Sequence, residues 1–283
     1  MSFTFLENTM ASMSWPEIEY LGQQDPVILW PVAVLEEHGP HLSIAVDILF
    51  GVVLSQYVKE QLTQKGLQTV IAPPNYWGIN TVTAAFPGSF TLRKETLKAL
   101  LYDTLASLQR WGYKRVFLFD LHGDVMHRGT LLQGIAEARL GCGTRAMMII
   151  SQSYARFAGF TGREEHILIL PENANPIPYT AFSDHRDIHA GSIETSFMAY
   201  YFPEQVNLEK SRQLQPTNFS PSDWKKWSAG WSDTRQMVPL GYNGDPASIK
   251  PELVKQCMRA EAEGLGGLIE GYLKGTYHPP TIA

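Results

Sequence analysis

Between residues 27 and 151, short apolar runs alternate with helix-length amphipathic segments, and this alternation limits the possible folds more than any other feature. Residues 27–34, 67–72, 115–120 and 145–151 read as strands, each short, apolar and bounded by turn-forming residues such as Pro73 and Pro74. Residues 47–65 carry Leu49, Val52, Val53 and Tyr57 near helical spacing. Residues 94–111 place Leu97, Leu100, Leu101, Leu105, Leu108 and Trp111 on one helical face. A further helix is predicted over residues 128–139. Strands that each feed a helix build right-handed βαβ units, so the expected class is α/β with a mostly parallel central sheet. Ligands of such sheets bind beyond the carboxyl ends of the strands.

The second half is less periodic. Residues 160–186, with Pro171, Pro176 and Pro178, read as loop, and a helix is expected from near Gly191 through Phe197, Met198 and Tyr201. Trp224, Trp227 and Trp231 punctuate the polar stretch 202–242, and residues 251–273 form a last helix. No break in composition demands a boundary, so residues 1–283 are expected to form a single domain. A net charge of −5 without a Lys/Arg-rich block argues against nucleic acid, which needs a positive footprint. No apolar run approaches the roughly 18 residues of a membrane span. Residues 1–13 make a poor signal peptide, and two lone cysteines, Cys142 and Cys257, suit a reducing cytoplasm.

Chemistry gathers where two strands are expected to end. The first run leads into Glu36-Glu37-His38-Gly39-Pro40-His41, with Asp47 opening the next helix. The third leads into His122-Gly123-Asp124. Taken singly, a histidine is more often a satisfied core or surface residue, and a glutamate is more often solvated. Together, Glu36, His38, Asp47, His122 and Asp124 supply two imidazoles and three carboxylates, a mixed N/O set that suits Zn²⁺, Mn²⁺ or Fe²⁺. Such a set also permits a carboxylate to bridge two ions. A third segment, Asp187-Ile188-His189-Ala190-Gly191-Ser192-Ile193-Glu194-Thr195-Ser196, ends in the start of a helix. Glu194 reads as a first-turn residue favoured by the helix dipole, and His189 equally as a turn residue or as a proton donor or substrate contact at the centre.

These motifs, with Phe86-Pro87-Gly88-Ser89 between them, resemble in content and order the creatininase (creatinine amidohydrolase) family, from about Trp15 to the last helix. The resemblance implies a three-layer α/β/α sandwich and a homo-oligomer, commonly a hexamer. It implies two divalent metal ions, Zn²⁺ and/or Mn²⁺ with Fe²⁺ as a further choice. It assigns Glu36, Asp47 and His122 to one ion, and His38, Asp47 and Asp124 to the other. The implied activity is metal-dependent hydrolysis of a non-peptide C–N bond in a small amide, often cyclic or formyl. Asp124 stands where creatininase has Glu, Val125 where Asn is common, and Ile188 where creatininase has a carboxylate. The acid/base candidates are therefore His189, Glu194 and Asp187, with Asp120 a candidate to orient His122 or a neighbour. Residues 80–86 with Tyr76 and Trp77 are expected to wall the pocket, and the three tryptophans to form either a lid or ordinary packing. Rival readings are a relative that binds metal or a small ligand without turnover, and a different reaction such as isomerisation or peptide trimming on a modified cofactor precursor. A serine hydrolase is disfavoured, since no Gly-x-Ser-x-Gly elbow follows a predicted strand.

Overall fold

The structure, a computed structural model, describes residues 6–282. Five strands form one sheet: β1 (Val27–Val32), β2 (Thr69–Ile71), β3 (Arg115–Asp120), β4 (Met147–Ser151) and β5 (Ile167–Leu170). Their order is β2-β1-β3-β4-β5, and every neighbouring pair is parallel. The helices are α1 (Trp15–Gly22), α2 (Val46–Gln64), α3 (Lys94–Arg110), α4 (Val125–Cys142), α5 (Gln152–Ala158), α6 (Ser192–Tyr201), α7 (Leu208–Gln213), α8 (Pro221–Ala229), α9 (Trp231–Met237) and α10 (Pro251–Leu273). Among the described residues, no helix is long and apolar enough to cross a membrane.

Strand side chains alternate between two cores, as the pleat dictates. Ile28, Trp30, Leu118 and Met148 pack under α3 and α4, against Leu97, Leu101, Leu131 and Ile135. Val27, Leu29, Phe117 and Ile149 pack under α2, α6 and α10, against Leu54, Phe197 and Met258. The result is the three-layer α/β/α sandwich. Strands buried on both faces read as continuous apolar runs rather than alternating ones, which is why they stood out in the sequence.

The topology positions the site. From β1 the chain steps outward through α2 to β2, then returns through α3 on the opposite face to β3. The strand order thus reverses between β1 and β3, where open α/β sheets hold their ligands. Val32 is in register with Asp120, so the segments leaving β1 and β3 emerge side by side. Those segments carry the Glu36 and His122 motifs.

The structure departs from the sequence expectation in two places. Residues 160–186 are not all loop, because Ile167–Leu170 adds β5 to the sheet edge. Only four residues long and followed at once by Pro171, that strand is too short to show a period. The helix expected over 128–139 begins earlier, at Val125, because the Asp124 side chain caps it.

The α3/α4 contact offers a direct test of this core. Leu101 is fully buried there, and a Cβ on Gly134 of α4 would come within 2.8 Å of its Cδ1. Leu101→Ala is expected to lower unfolding free energy by about 2–5 kcal/mol in chemical denaturation.

Candidate metal centre

Backbone contacts bring three chain segments to one point. Beyond β1, Gly39 turns the chain with φ +67°, and a Cβ there would lie 3.0 Å from the His41 ring. The turn leaves Glu36, His38 and His41 buried together. His41 Nε2 is 2.8 Å from Thr195 Oγ1, which ties this loop to α6. Asp47 lies in the first turn of α2, where the helix dipole favours a carboxylate. The His122 N–H donates to Asp120 Oδ1 at 3.0 Å, which fixes the exit from β3.

Each histidine is oriented by the nitrogen that faces away from the centre. His38 Nδ1 bonds the Glu36 carbonyl at 3.0 Å, which leaves Nε2 directed at Asp47 Oδ1 (3.3 Å) and Glu194 Oε2 (3.8 Å). His122 Nε2 bonds the Ile79 carbonyl at 3.1 Å, which leaves Nδ1 directed at Glu36 Oε2 (3.0 Å) and Asp47 Oδ2 (3.2 Å). A carbonyl accepts only from N–H, so both inward nitrogens carry the lone pair that a cation needs once the ring is neutral. Asp47 divides its two oxygens between the two rings.

Two overlapping groups of donors are therefore spaced to hold an ion: Glu36, Asp47 and His122, and His38, Asp47 and Glu194. One ring nitrogen of His189 lies within similar reach of Glu36 and His38. The buried atoms His38 Nε2 and Asp47 Oδ2 have no hydrogen bond of good geometry. Buried polar atoms left without a partner are costly, and a cation seated between these groups would remove that cost. The donors thus fit divalent ions of the Zn²⁺ or Mn²⁺ type.

Electrostatics without ions point the same way. Burial opposes ionisation of Glu36, but His122 and His189 overcome it and hold the carboxyl down to about 2. Burial likewise opposes Asp47, and His38 and His122 pull it well below the usual carboxylate range. Burial opposes charge on His38, yet Glu194 and Asp47 raise its pKa well above the ordinary value. Glu36 and Asp47 do the same for His122 against its own burial. Protons on these imidazoles thus stand where cations would.

The remaining candidates take varied places. Asp124 does not enter either donor group. Its Oδ1 accepts from the Met126 and His127 N–H groups at 2.8 and 3.0 Å, capping α4, and its Oδ2 accepts from the N–H and hydroxyl of Thr81. Being one methylene shorter than Glu, this side chain ends on the helix it opens. Asp187 Oδ2 accepts from Ser192 Oγ at 2.6 Å and the Ile193 N–H at 2.7 Å, so it holds the start of α6. Its pKa is raised to about 6 by burial, against the two hydrogen bonds, with Glu194 adding to the rise. Glu194 accepts from the Ala190 N–H and reaches toward His38. His189 Nε2 donates to the Glu37 carbonyl at 2.8 Å, and its ring lies 4.3 Å from that of His38. Despite burial and the neighbouring His38, Glu36 and Glu37 raise the pKa of His189 to about 9. Thr81 and Thr83, from the predicted wall, bond Asp124 and Glu36. Trp227 is buried with its ring 5.9 Å from His189, Trp231 is exposed, and the Trp224 side chain lies outside the described residues.

Sequence reading missed His127 and Ile79. His127 is fully buried on α4, and its Nδ1 accepts from the Ile79 N–H at 3.1 Å. The same peptide segment presents the Ile79 carbonyl to His122. Two histidines five residues apart thus hold both sides of Ile79. Gly78 makes the approach possible, since a Cβ there would lie 2.3 Å from the His127 ring. The available signal was the spacing of His122 and His127 across a helix start, which is weak without knowledge of the loop at 78–79. Glu37, also not singled out, lies beneath His189, with Oε1 3.5 Å from its Nε2.

Comparison with known proteins adds independent findings. The Creatininase family model, described as creatinine amidohydrolase, matches residues 11–269. The creatinine amidohydrolase of Pseudomonas putida is 25% identical over 225 residues, covering 76% of this chain and 79% of that protein. The mycofactocin precursor peptide peptidase of Mycobacterium ulcerans is 26% identical over 246 residues, covering 82% and 83%. A solved structure described as a manganese creatininase superposes with a TM-score of 0.68 at 20% identity, covering 94% of this chain and 98% of its own.

His127→Phe removes the acceptor for Ile79 while keeping a ring in place. It is expected to weaken metal binding about 10- to 100-fold in competition with a chromophoric chelator. His127→Asn, which can still accept from the Ile79 N–H, is expected to recover part of that loss.

Proposed function

We propose, for a chain that belongs to the creatinine amidohydrolase (creatininase) family and is thereby a hydrolase of C–N bonds, that it cleaves the amide bond of a small molecule at two divalent ions sharing Asp47. The observation that carries this reading is the division of Asp47 between His38 and His122, each ring already oriented from behind. Glu36, Asp47 and His122 would hold one ion, and His38, Asp47 and Glu194 the other. Glu194 takes the place first expected for Asp124, whose oxygens are committed to α4 and Thr81. Zn²⁺ and Mn²⁺ both suit this N/O set, and a manganese form is described for a structural neighbour.

Bound there, the ions supply Lewis acidity and bring the pKa of water to near 7. In the net reaction a C–O bond forms from water, the C–N bond breaks, and a proton passes to the leaving nitrogen. We assign that proton to His189, whose pKa is raised by Glu36 and Glu37 and whose ring stands against His38. The Glu37 carbonyl fixes its ring orientation. Thr83 holds the Glu36 oxygen turned away from His122. Asp187 keeps the start of α6 in place, and with it Glu194.

A second reading, trimming of a peptide C–N bond, is favoured by the mycobacterial peptidase, to which this chain is as similar as to the creatinine hydrolase. Turnover of short peptides against lactams and formamides separates the two. We also propose that the chain works as a homo-oligomer, up to a hexamer, in the cytoplasm. Exposed Trp77 and Phe90, edge to face at 5.4 Å, together with exposed Val125 and Met126, support the first point. The free thiols of Cys142 and Cys257 support the second.

Asp47→Asn is expected to remove most bound metal and all turnover, whereas His189→Gln is expected to keep the metal and lower turnover by about 10²- to 10⁴-fold. Elemental analysis beside an amide-hydrolysis assay reads both. Metal binding is also expected to depend on pH. His38 and His122 are protonated without ions, because their pKa values are raised, and must lose those protons to bind. Affinity should therefore fall as pH drops, with about two protons released per chain in calorimetry run in buffers of different ionisation enthalpy.

A further inference from the structure

The carboxylates Asp47, Glu194 and Asp187 form only part of a larger cavity of about 410 Å³. That volume is within the range of about 300–1,000 Å³ found for sites that enclose drug-sized ligands. The cavity runs between the sheet and the helices α2, α6 and α10, and its walls are largely apolar, with Phe50, Phe119, Ile149, Phe182, Ile188 and Leu265 among them. A small polar ring would leave most of that surface without a partner.

The polar groups of the cavity decide what it can receive. Among the described residues Arg128 is the sole cationic side chain in the lining, and Asp120 already pairs with it at 2.9 Å. Its guanidinium also lies over the Tyr154 ring at 5.0 Å. Away from the metal centre, an anionic ligand therefore meets no uncommitted cationic side chain among the described lining residues. Glu261, on α10, is in the opposite situation. It lines the same cavity, and among the described residues it forms no ion pair. Its one hydrogen bond comes from the Asn175 amide, at 3.2 Å to Oε2. Burial raises its pKa, only partly offset by Asn175. A partly buried carboxylate without a cation is costly unless a ligand supplies one.

We propose that this cavity is the substrate-side pocket and takes an amide bearing an apolar arm that ends in a protonated amine, with Glu261 receiving the ammonium and the Phe50, Ile149 and Leu265 walls receiving the arm. This specificity rests on the hydrolytic reading of the Asp47 centre, but binding of the arm does not require turnover. Glu261 is then a specificity-determining residue, separate in sequence from every proposed metal ligand.

The test uses the metal-loaded protein and simple probes. Calorimetric titration with n-hexylamine, as hexylammonium at neutral pH, is compared with hexanoate and 1-hexanol. Hexylammonium is expected to bind, and 1-hexanol at least tenfold more weakly; hexanoate, which the ions at Asp47 can hold, is expected to be insensitive to Glu261→Gln. Glu261→Gln, close to the native side chain in shape, is expected to weaken hexylammonium about tenfold or more while leaving metal content unchanged. Cys257→Phe, which narrows the cavity from a partly exposed position, is expected to weaken both hexylammonium and 1-hexanol and supplies the readout if Glu261→Gln does not fold. 1-Hexanol binding as tightly as hexylammonium, or hexylammonium binding unchanged in Glu261→Gln, overturns the proposal. Absence of turnover on every amide, with hexylammonium binding intact, would instead count against the hydrolytic reading alone.

Discussion

The Asp47 carboxylate, buried in the first turn of α2, places one oxygen 3.3 Å from His38 and the other 3.2 Å from His122. The two histidines come from opposite sides of a reversal in strand order, one beyond β1 and the other beyond β3. The segments leaving β1 and β3, far apart in sequence, are thus fixed against one another by a single side chain. Such a concentration of charge in a buried place needs compensation. Imidazolium protons supply it without ions, and divalent cations supply it in the working form we propose.

The surrounding fold can be understood as support for that arrangement. The register of Val32 with Asp120 sets how far apart the two exits lie. Asp120 holds the His122 backbone, and Ile79 holds the His122 ring on one side and His127 on the other. On the far side, Asp187 holds the start of α6, from which Glu194 reaches the centre. Thr83 and Ser89, from the loop before α3, bond Glu36 and the Glu37 N–H. Tuned basicity and fixed orientation follow from these outer partners more than from the ligands themselves.

Much of this was legible in the sequence because it rests on local pattern. Strands covered on both faces appear as unbroken apolar runs, and α3 declares itself through Leu97, Leu101, Leu105 and Leu108. The last helix, Pro251–Leu273, was legible from end to end. The Glu36 and His122 motifs were placed at strand ends, and the structure brings them together. What escaped depends on tertiary detail. Ile167–Leu170 is recognisable as a strand only once β4 lies beside it. Asp124 carries the same letter whether it binds a cation or caps α4, and only the position of Thr81 shows which its oxygens meet. His127 acts through the backbone of a residue 48 positions away, and no spacing along the chain reveals that. The Glu261 wall comes from α10, which was read only as a last helix.

The central claim is that Asp47 is shared between two cations. The most direct measurement is diffraction from crystals of the metal-loaded protein, with data collected on both sides of the metal absorption edge. Two anomalous peaks flanking Asp47, one beside Glu36 and His122 and the other beside His38 and Glu194, are the predicted result. A single peak, or a peak at Asp124 with none beside Glu194, would contradict it.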